Sequence, residues 1–344
     1  MEAPTPLRVV IADDSAFIRR LLADSLERSG FSVVATAEDG DQALAACRSL
    51  RPDVLTLDLA MPGLDGIGVL RALRDEELPV PVLVVSAFSL AHGARAVDAL
   101  AEGAVDLVPK PGPGDRFHTF LAELEEKVRL AAGSQPRYPS PTGLSAATNG
   151  NGHSRSARAR TVVIASSTGG PRALAELLPK LPSPLGTGTV IVQHMPAGFT
   201  GSLAERLDRA SSLSVREARP GDGLDAHTVL VAPGGHHLRL LPGGAATLSD
   251  EPTIGGLRPR ADLTIGDAAR VYGRDLLLVV LTGMGKDGLE GAHEVHANGG
   301  RILAEAESSC TVYGMPRAIV EAGLADGVYD LSALPAAIAL EAGA

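Results

Sequence analysis

The sequence predicts an α/β protein built from two doubly wound, mainly parallel sheets. Three observations point there. Short Val/Ile/Leu-rich runs alternate with segments that place leucine or alanine at three- and four-residue spacing. That alternation halts near residue 131 and resumes near residue 161. Glycine (39) and proline (24) are plentiful, as tight βα turns require, while tryptophan is absent and aromatics make up 3% of the chain, so the cores must be aliphatic.

Residues 7–12, 31–36, 53–58, 81–87 and 104–109 read as strands. Continuous apolar runs of this length suit strands buried on both faces. Residues 17–29, 41–50, 66–76 and 91–102 lie between them and read as helices, and five strands alternating with helices give a parallel sheet. Residues 131–160 are rich in Gly, Ser, Pro, Asn and Arg without apolar periodicity and read as a flexible polar linker. The expected domains are therefore 1–130 and 161–344.

Beyond the linker, residues 161–166, 188–194, 227–233 and 275–283 are strand-like. Residues 171–181, 199–210, 260–273 and the segment after Gly288 are helix-like. Residues 236–250 set a Pro-Gly-Gly turn between two alternating runs, which predicts a β-hairpin.

The formal net charge of −10 divides as −8 over residues 1–132, +4 over 133–160 and −6 over 161–344. Neither domain has the basic surplus of a nucleic-acid binder, so no nucleic-acid partner is expected. No uninterrupted apolar run reaches 18 residues, so no membrane insertion is expected. Two cysteines, Cys47 and Cys310, do not suggest a disulfide framework. The expected compartment is the cytoplasm.

Asp13 and Asp14 follow the first strand, Asp58 ends the third, Ser86 ends the fourth and Lys110 follows the fifth. In a parallel sheet the carboxyl ends of the strands share one edge, where ligand crevices form. Clustered carboxylates repel unless a cation sits among them, and oxygen-only ligands suit Mg²⁺. Asp58 could accept a phosphoryl group, with Lys110 and the Ser86 hydroxyl stabilising its oxygens. Taken singly, Asp13 and Asp14 read more readily as caps of the helix that follows.

These residues resemble the response-regulator receiver family. The matching pieces are VVIADDSAFIRRLL, LTLDLAMPGLDGIGVL, VVSA and AVDLVPKP, within residues 6–130. The resemblance implies a five-stranded flavodoxin-like fold, Asp58 as phosphoacceptor, and Asp13 and Asp14 beside Asp58 as ligands of a Mg²⁺ cofactor. It also implies Ser86 and Lys110 as switch residues and a chemotaxis histidine kinase as phosphodonor. Leu107 stands where the family often has an aromatic side chain.

In TVVIASSTGGPRAL, Ser166 and Ser167 end a strand, and Gly169, Gly170 and Pro171 lead into a helix. Backbone N–H groups at such a turn could stabilise an oxyanion. The next strand ends at His194, and the strand over 275–283 precedes Asp287. A serine, a histidine and an aspartate at one sheet edge are the set acyl transfer needs. Taken singly, Ser166 and Ser167 read as turn serines, His194 as a loop histidine and Asp287 as a cap of the following helix. The glycine-rich turn could instead cradle a phosphate. His236-His237 and His293-Glu294-Val295-His296 invite a metal reading, although the second lacks the H-E-x-x-H spacing.

IASSTGGPRAL, VIVQHMPAGFTGSLAERL, VLVAPGGHHL, LLVVLTGMGKDGLEG and SSCTVYGMPRAIVEAGLAD resemble the catalytic domain of chemotaxis protein-glutamate methylesterases, over about residues 161–343. The resemblance implies a Rossmann-like catalytic domain that hydrolyses glutamate methyl esters on methyl-accepting chemoreceptors, and that deamidates receptor glutamines in some members. It implies Ser167 as nucleophile, His194 as base, Asp287 as orienting acid, and the backbone N–H groups of Thr168 and Met284 as the oxyanion hole. No cofactor is expected for the ester reaction. Ala165 and Ser166 replace the Gly-Ala usual in the family, and Ser166 adds a hydroxyl that could compete for His194. A phospho-switched partner- or nucleotide-binding regulator of weak catalytic power is the alternative.

Overall fold

The computed structural model describes residues 5–87, 90–112, 117–134 and 158–343. The chain divides into two compact units, Met1–Pro139 and Ser140–Ala344.

The first unit carries strands β1 (Arg8–Ala12), β2 (Ser32–Ala37), β3 (Val54–Leu57), β4 (Val82–Ala87) and β5 (Asp106–Lys110). They pair parallel in the order β2-β1-β3-β4-β5, the doubly wound arrangement expected. Helices α1 (Ala16–Arg28), α2 (Gly40–Leu50), α3 (Gly66–Asp75), α4 (Leu90–Ala101) and α5 (Phe117–Ala132) connect and flank them. The reversal of strand order between β1 and β3 opens a crevice at the carboxyl ends. Val9, Ile11, Leu83, Val85, Leu124 and Val128 anchor an aliphatic core on one face of this sheet.

The second unit has strands β6 (Thr161–Ser166), β7 (Thr189–Gln193), β8 (Ser214–Glu217), β9 (Thr228–Val231), β10 (His237–Leu240), β11 (Ala246–Ser249), β12 (Leu276–Val280), β13 (Arg301–Glu305) and β14 (Gly327–Tyr329). Its helices are α6 (Gly170–Leu177), α7 (Phe199–Ala210), α8 (Ala261–Tyr272), α9 (Leu289–Ala297), α10 (Met315–Glu321) and α11 (Leu334–Ala342). Seven strands form a parallel sheet in the order β14-β13-β12-β6-β7-β9-β8. The predicted hairpin is β10–β11, paired antiparallel from His237–Ser249 to Leu240–Ala246.

Three strands escape the sequence reading. In β8 only Val215 is buried, as befits an edge strand, and β14 has three residues. The third, β13, begins on Arg301 and ends on Glu305, so its apolar run is brief. Each lacks the long apolar run that marks β6, β7 and β12. The expected linker falls largely on residues 135–157, outside the described residues. At its ends, α5 runs to Ala132, and the Arg160 N–H donates to the Ala342 carbonyl at 3.0 Å. Among the described residues no helix is long and apolar enough to cross a membrane.

Candidate active site

The first unit brings its predicted residues together at the carboxyl edge. Asp13, Asp14 and Asp58 each offer a carboxylate oxygen, and these lie within 4.8 Å of one another. Asp13 and Asp58 are buried, whereas Asp14 is exposed. The Lys110 ammonium lies 2.5 Å from Asp58 Oδ2 and 2.7 Å from Asp13 Oδ2. Burial raises the Asp13 carboxyl above its ordinary value despite Lys110, and the Asp58 charge adds to the rise. Burial opposes the charge on Lys110, yet the two aspartates outweigh it and raise its pKa. Three hard oxygen donors around one excess negative region fit a divalent cation such as Mg²⁺.

The cap of α1 is Ser15, whose Oγ accepts from the Ile18 N–H, while Asp13 Oδ1 accepts from the Ser15 N–H at 3.0 Å. The cap residue is therefore Ser15 and neither aspartate. The Ser86 Oγ is buried without a hydrogen-bond partner among the described residues, a donor left for an incoming oxygen. Leu107 is buried in the core.

In the second unit the strand order decides the geometry. Strand β6 lies between β7 and β12, with Ser166 opposite Gln193 and Ala165 opposite both Val192 and Val280. Ser167, His194 and the loop that holds Asp287 are thus the first residues beyond three neighbouring strand ends. The Ser167 N–H donates to the Thr282 carbonyl at 3.0 Å. Ser167 is half-buried, and Gly283 approaches so closely that a Cβ there would lie 2.8 Å from the Ser167 Cβ. Met284, the next residue, is exposed at the rim, and Thr168 is buried.

The turn after Ser167 needs both glycines. Gly169 has φ +79°, and a Cβ there would sit 2.5 Å from the Thr311 side chain. A Cβ on Gly170 would fall 2.0 Å from Gln193 Oε1. Ala165 causes no such conflict, because its methyl group is part of the core. Ser166 is fully buried and donates its hydroxyl to Gln193 Oε1 at 2.7 Å. Gln193, not His194, is its partner.

His194 Nε2 lies 2.7 Å from Asp287 Oδ2. Burial alone would raise the Asp287 carboxyl, but its bond to His194, the His194 charge and its bonds with Asp262 together outweigh this and hold it well below the usual carboxylate range. An ionised carboxylate only accepts, so Nε2 is the nitrogen that donates to it, which in the neutral ring leaves Nδ1 as the acceptor. His194 Nδ1 is buried without a hydrogen-bond partner among the described residues. The ring is used in the opposite sense from the protease template, where the acid holds Nδ1.

Asp287 does cap a helix, though not only the one that follows it. Its Oδ2 accepts from Ala261 N–H at 2.7 Å, and its Oδ1 accepts from the N–H groups of Asp262 and Gly288 at 3.0 Å each. The Arg260 Nε lies 2.9 Å from Asp287 Oδ1. These residues at the start of α8 went unnoticed in the sequence, where Arg-Ala-Asp is an ordinary helix opening. The metal reading of His236-His237 does not survive. His237 Nδ1 accepts from the Arg260 N–H at 3.2 Å and its Nε2 faces the Pro252 carbonyl at 3.2 Å, so both ring nitrogens are engaged. His236 pairs with Asp250 at 2.6 Å. Among the described residues, the one group that could hold a metal is Asp13, Asp14 and Asp58.

A receiver unit followed by a sheet with an ester-hydrolase constellation defines the class, a response regulator whose output is an enzyme. The chain matches the family model of the CheB methylesterase over residues 162–338 and that of the response regulator receiver domain over residues 9–122. It is 42% identical to the protein-glutamate methylesterase/protein-glutamine glutaminase of Symbiobacterium thermophilum, covering 97% of this chain and 96% of that one. The protein of the same name from Thermotoga maritima is 38% identical, covering 96% of each. The crystal structure of the Thermotoga maritima CheB methylesterase catalytic domain superposes with a TM-score of 0.51 at 43% identity, covering 52% of this chain and 97% of that one. The chain belongs to the CheB methylesterase family.

Proposed function

We propose that the second unit hydrolyses glutamate methyl esters on methyl-accepting chemoreceptors in the cytoplasm and deamidates receptor glutamines by the same chemistry. The observation that carries the chemistry is the 2.7 Å His194–Asp287 pair at the sheet edge that also presents Ser167. Ser167 Oγ adds to the ester carbonyl as His194 Nδ1 takes its proton. The Nε2–H to Asp287 bond holds the tautomer and offsets the charge that develops on the ring. Backbone N–H groups of Thr168 and Met284 receive the oxyanion. His194 then returns the proton to the departing methoxide, methanol leaves, and a water molecule activated by the same nitrogen hydrolyses the acyl-enzyme. For a glutamine side chain, ammonia leaves instead.

The first unit would control that rate. Asp58 would accept a phosphoryl group from a chemotaxis histidine kinase, and Lys110, which pairs with Asp58, and the unpartnered Ser86 hydroxyl would stabilise its oxygens. Asp13, Asp14 and Asp58 would hold Mg²⁺, which when bound neutralises charge on the transferring group. The test is methanol release from a methylated receptor fragment, with and without a small-molecule phosphodonor. A rate indifferent to the phosphodonor rejects the control reading. Near-full activity in Ser167→Ala rejects the nucleophile.

A further inference from the structure

We propose that Gln193 is a positioning residue for the ester reaction, a side-chain clamp that keeps the nucleophile and base segments in register, and that the Ser166 hydroxyl completes it. This rests on the reading of Ser167 as nucleophile and His194 as base.

Strands β6 and β7 end at Ser166 and Gln193, where the reactive residues begin. A backbone bond from the His194 N–H to the Ser166 carbonyl, 3.0 Å, joins the two segments at this point. The Gln193 side chain extends that link. Its Nε2 donates to the Ser167 carbonyl and to the His194 carbonyl, each at 2.9 Å. One planar amide therefore grips the main chains of both residues. Its Oε1 accepts from Ser166 Oγ at 2.7 Å.

The site is dry. Gln193 is 2% exposed and Ser166 is 0% exposed. A buried amide with both protons and its oxygen engaged has one favoured orientation, because any rotation strands a polar group away from water. The chain also makes room for it, since a Cβ on Gly170 would come within 2.0 Å of Oε1. Glutamate at position 193 would keep the acceptor and lose both donors, and leucine would lose all three bonds. Ser166 thus has a use that needs no contact with substrate: it fixes the amide that fixes the two carbonyls.

The experiment uses the full chain and compares wild type, Gln193→Glu and Ser166→Ala. Methanol release from a methylated receptor fragment gives kcat and KM, a fluorophosphonate gives the rate and place of serine labelling, and thermal melts report folding. Gln193→Glu is expected to lower kcat about 10- to 100-fold, since small misplacements of reacting groups cost that much. Its KM should stay within about twofold, because no substrate contact is removed. Ser166→Ala keeps both donors and loses the brace, so kcat should fall about threefold to tenfold in a folded protein, with the labelling rate falling in parallel. Wild-type kcat and labelling rate in a folded Gln193→Glu or Ser166→Ala, or an effect confined to KM, would overturn the clamp. Should Gln193→Glu fail to fold, Ser166→Ala alone decides. Labelling of wild type at a residue other than Ser167 would instead overturn the nucleophile reading, which is a separate result.

Discussion

Asp287 and Asp262 cap one another's helices. Asp287 accepts the N–H groups of Ala261 and Asp262 at the start of α8. Asp262 Oδ1 accepts the N–H groups of Gly288 and Gly291 at the start of α9, at 2.8 and 2.9 Å. The first four N–H groups of a helix have no partner within it, so each aspartate satisfies donors that its own helix cannot. Arg260 bridges the pair, with Nη2 2.7 Å from Asp262 and Nε 2.9 Å from Asp287. The residue proposed to orient His194 is thereby locked to two helix ends.

Asp262→Ala should act on stability and activity together. Two cap bonds are lost at about 1 kcal/mol each, giving a destabilisation of about 2 kcal/mol. Methanol release should fall as well, since Asp287 loses the frame that aims it. A thermal melt and an activity assay on one preparation check both, and an unchanged melting temperature would contradict the reciprocal cap.

Ser167→Ala should separate chemistry from folding. Ser167 is half-buried and its replacement removes one hydroxyl, so stability should stay within about 0.5 kcal/mol. Ester hydrolysis should drop by more than about 10⁴-fold. Steady-state kinetics beside a melting curve distinguishes the two.

Acid should weaken the second unit through Asp287. Its carboxyl is held below the ordinary range in the folded protein, chiefly against burial by the bond to His194. A depressed carboxyl contributes stability that is complete above the unfolded value of about 3.9 and is lost as pH falls through the folded value. Urea unfolding of wild type and Asp287→Asn should therefore differ most near pH 6, and the gap should start to narrow only below about pH 4. A gap that widens on acidification would contradict this sign.

The turn at Gly169 should tolerate no side chain. Gly169→Ala would place a Cβ in left-handed backbone and 2.5 Å from Thr311. A destabilisation of about 1–3 kcal/mol and loss of ester hydrolysis are expected, both checked by melting and methanol release.

Removing the cation with a chelator, or replacing Lys110 by alanine, should abolish stimulation by a phosphodonor. Lys110→Ala leaves the close carboxylates of Asp13 and Asp58 without their cation. Phosphoprotein electrophoresis and methanol release report the two steps.

The sequence by itself determined the strands that carry the chemistry and the residues at their ends. β1, β3, β4, β6, β7 and β12 are buried apolar runs, and runs of that kind alternating with helices point to a parallel sheet covered on both faces. Parallel pairing then sends every carboxyl end to one edge, so Asp13, Asp58 and Lys110 in one unit, and Ser167 and His194 in the other, fall on the same edge without long-range information. Only the tertiary structure decided which strands are neighbours, and with that the clamp and the caps. Hydropathy marks β12 as buried but does not say that it lies beside β6, 110 residues or more earlier in the chain. Gln193, Arg260 and Asp262 look ordinary in sequence because their partners are remote polar atoms, and hydrogen bonds leave no periodic trace. The same reason hid the orientation of His194, whose Nε2 faces an Asp287 that is itself bonded to the start of α8.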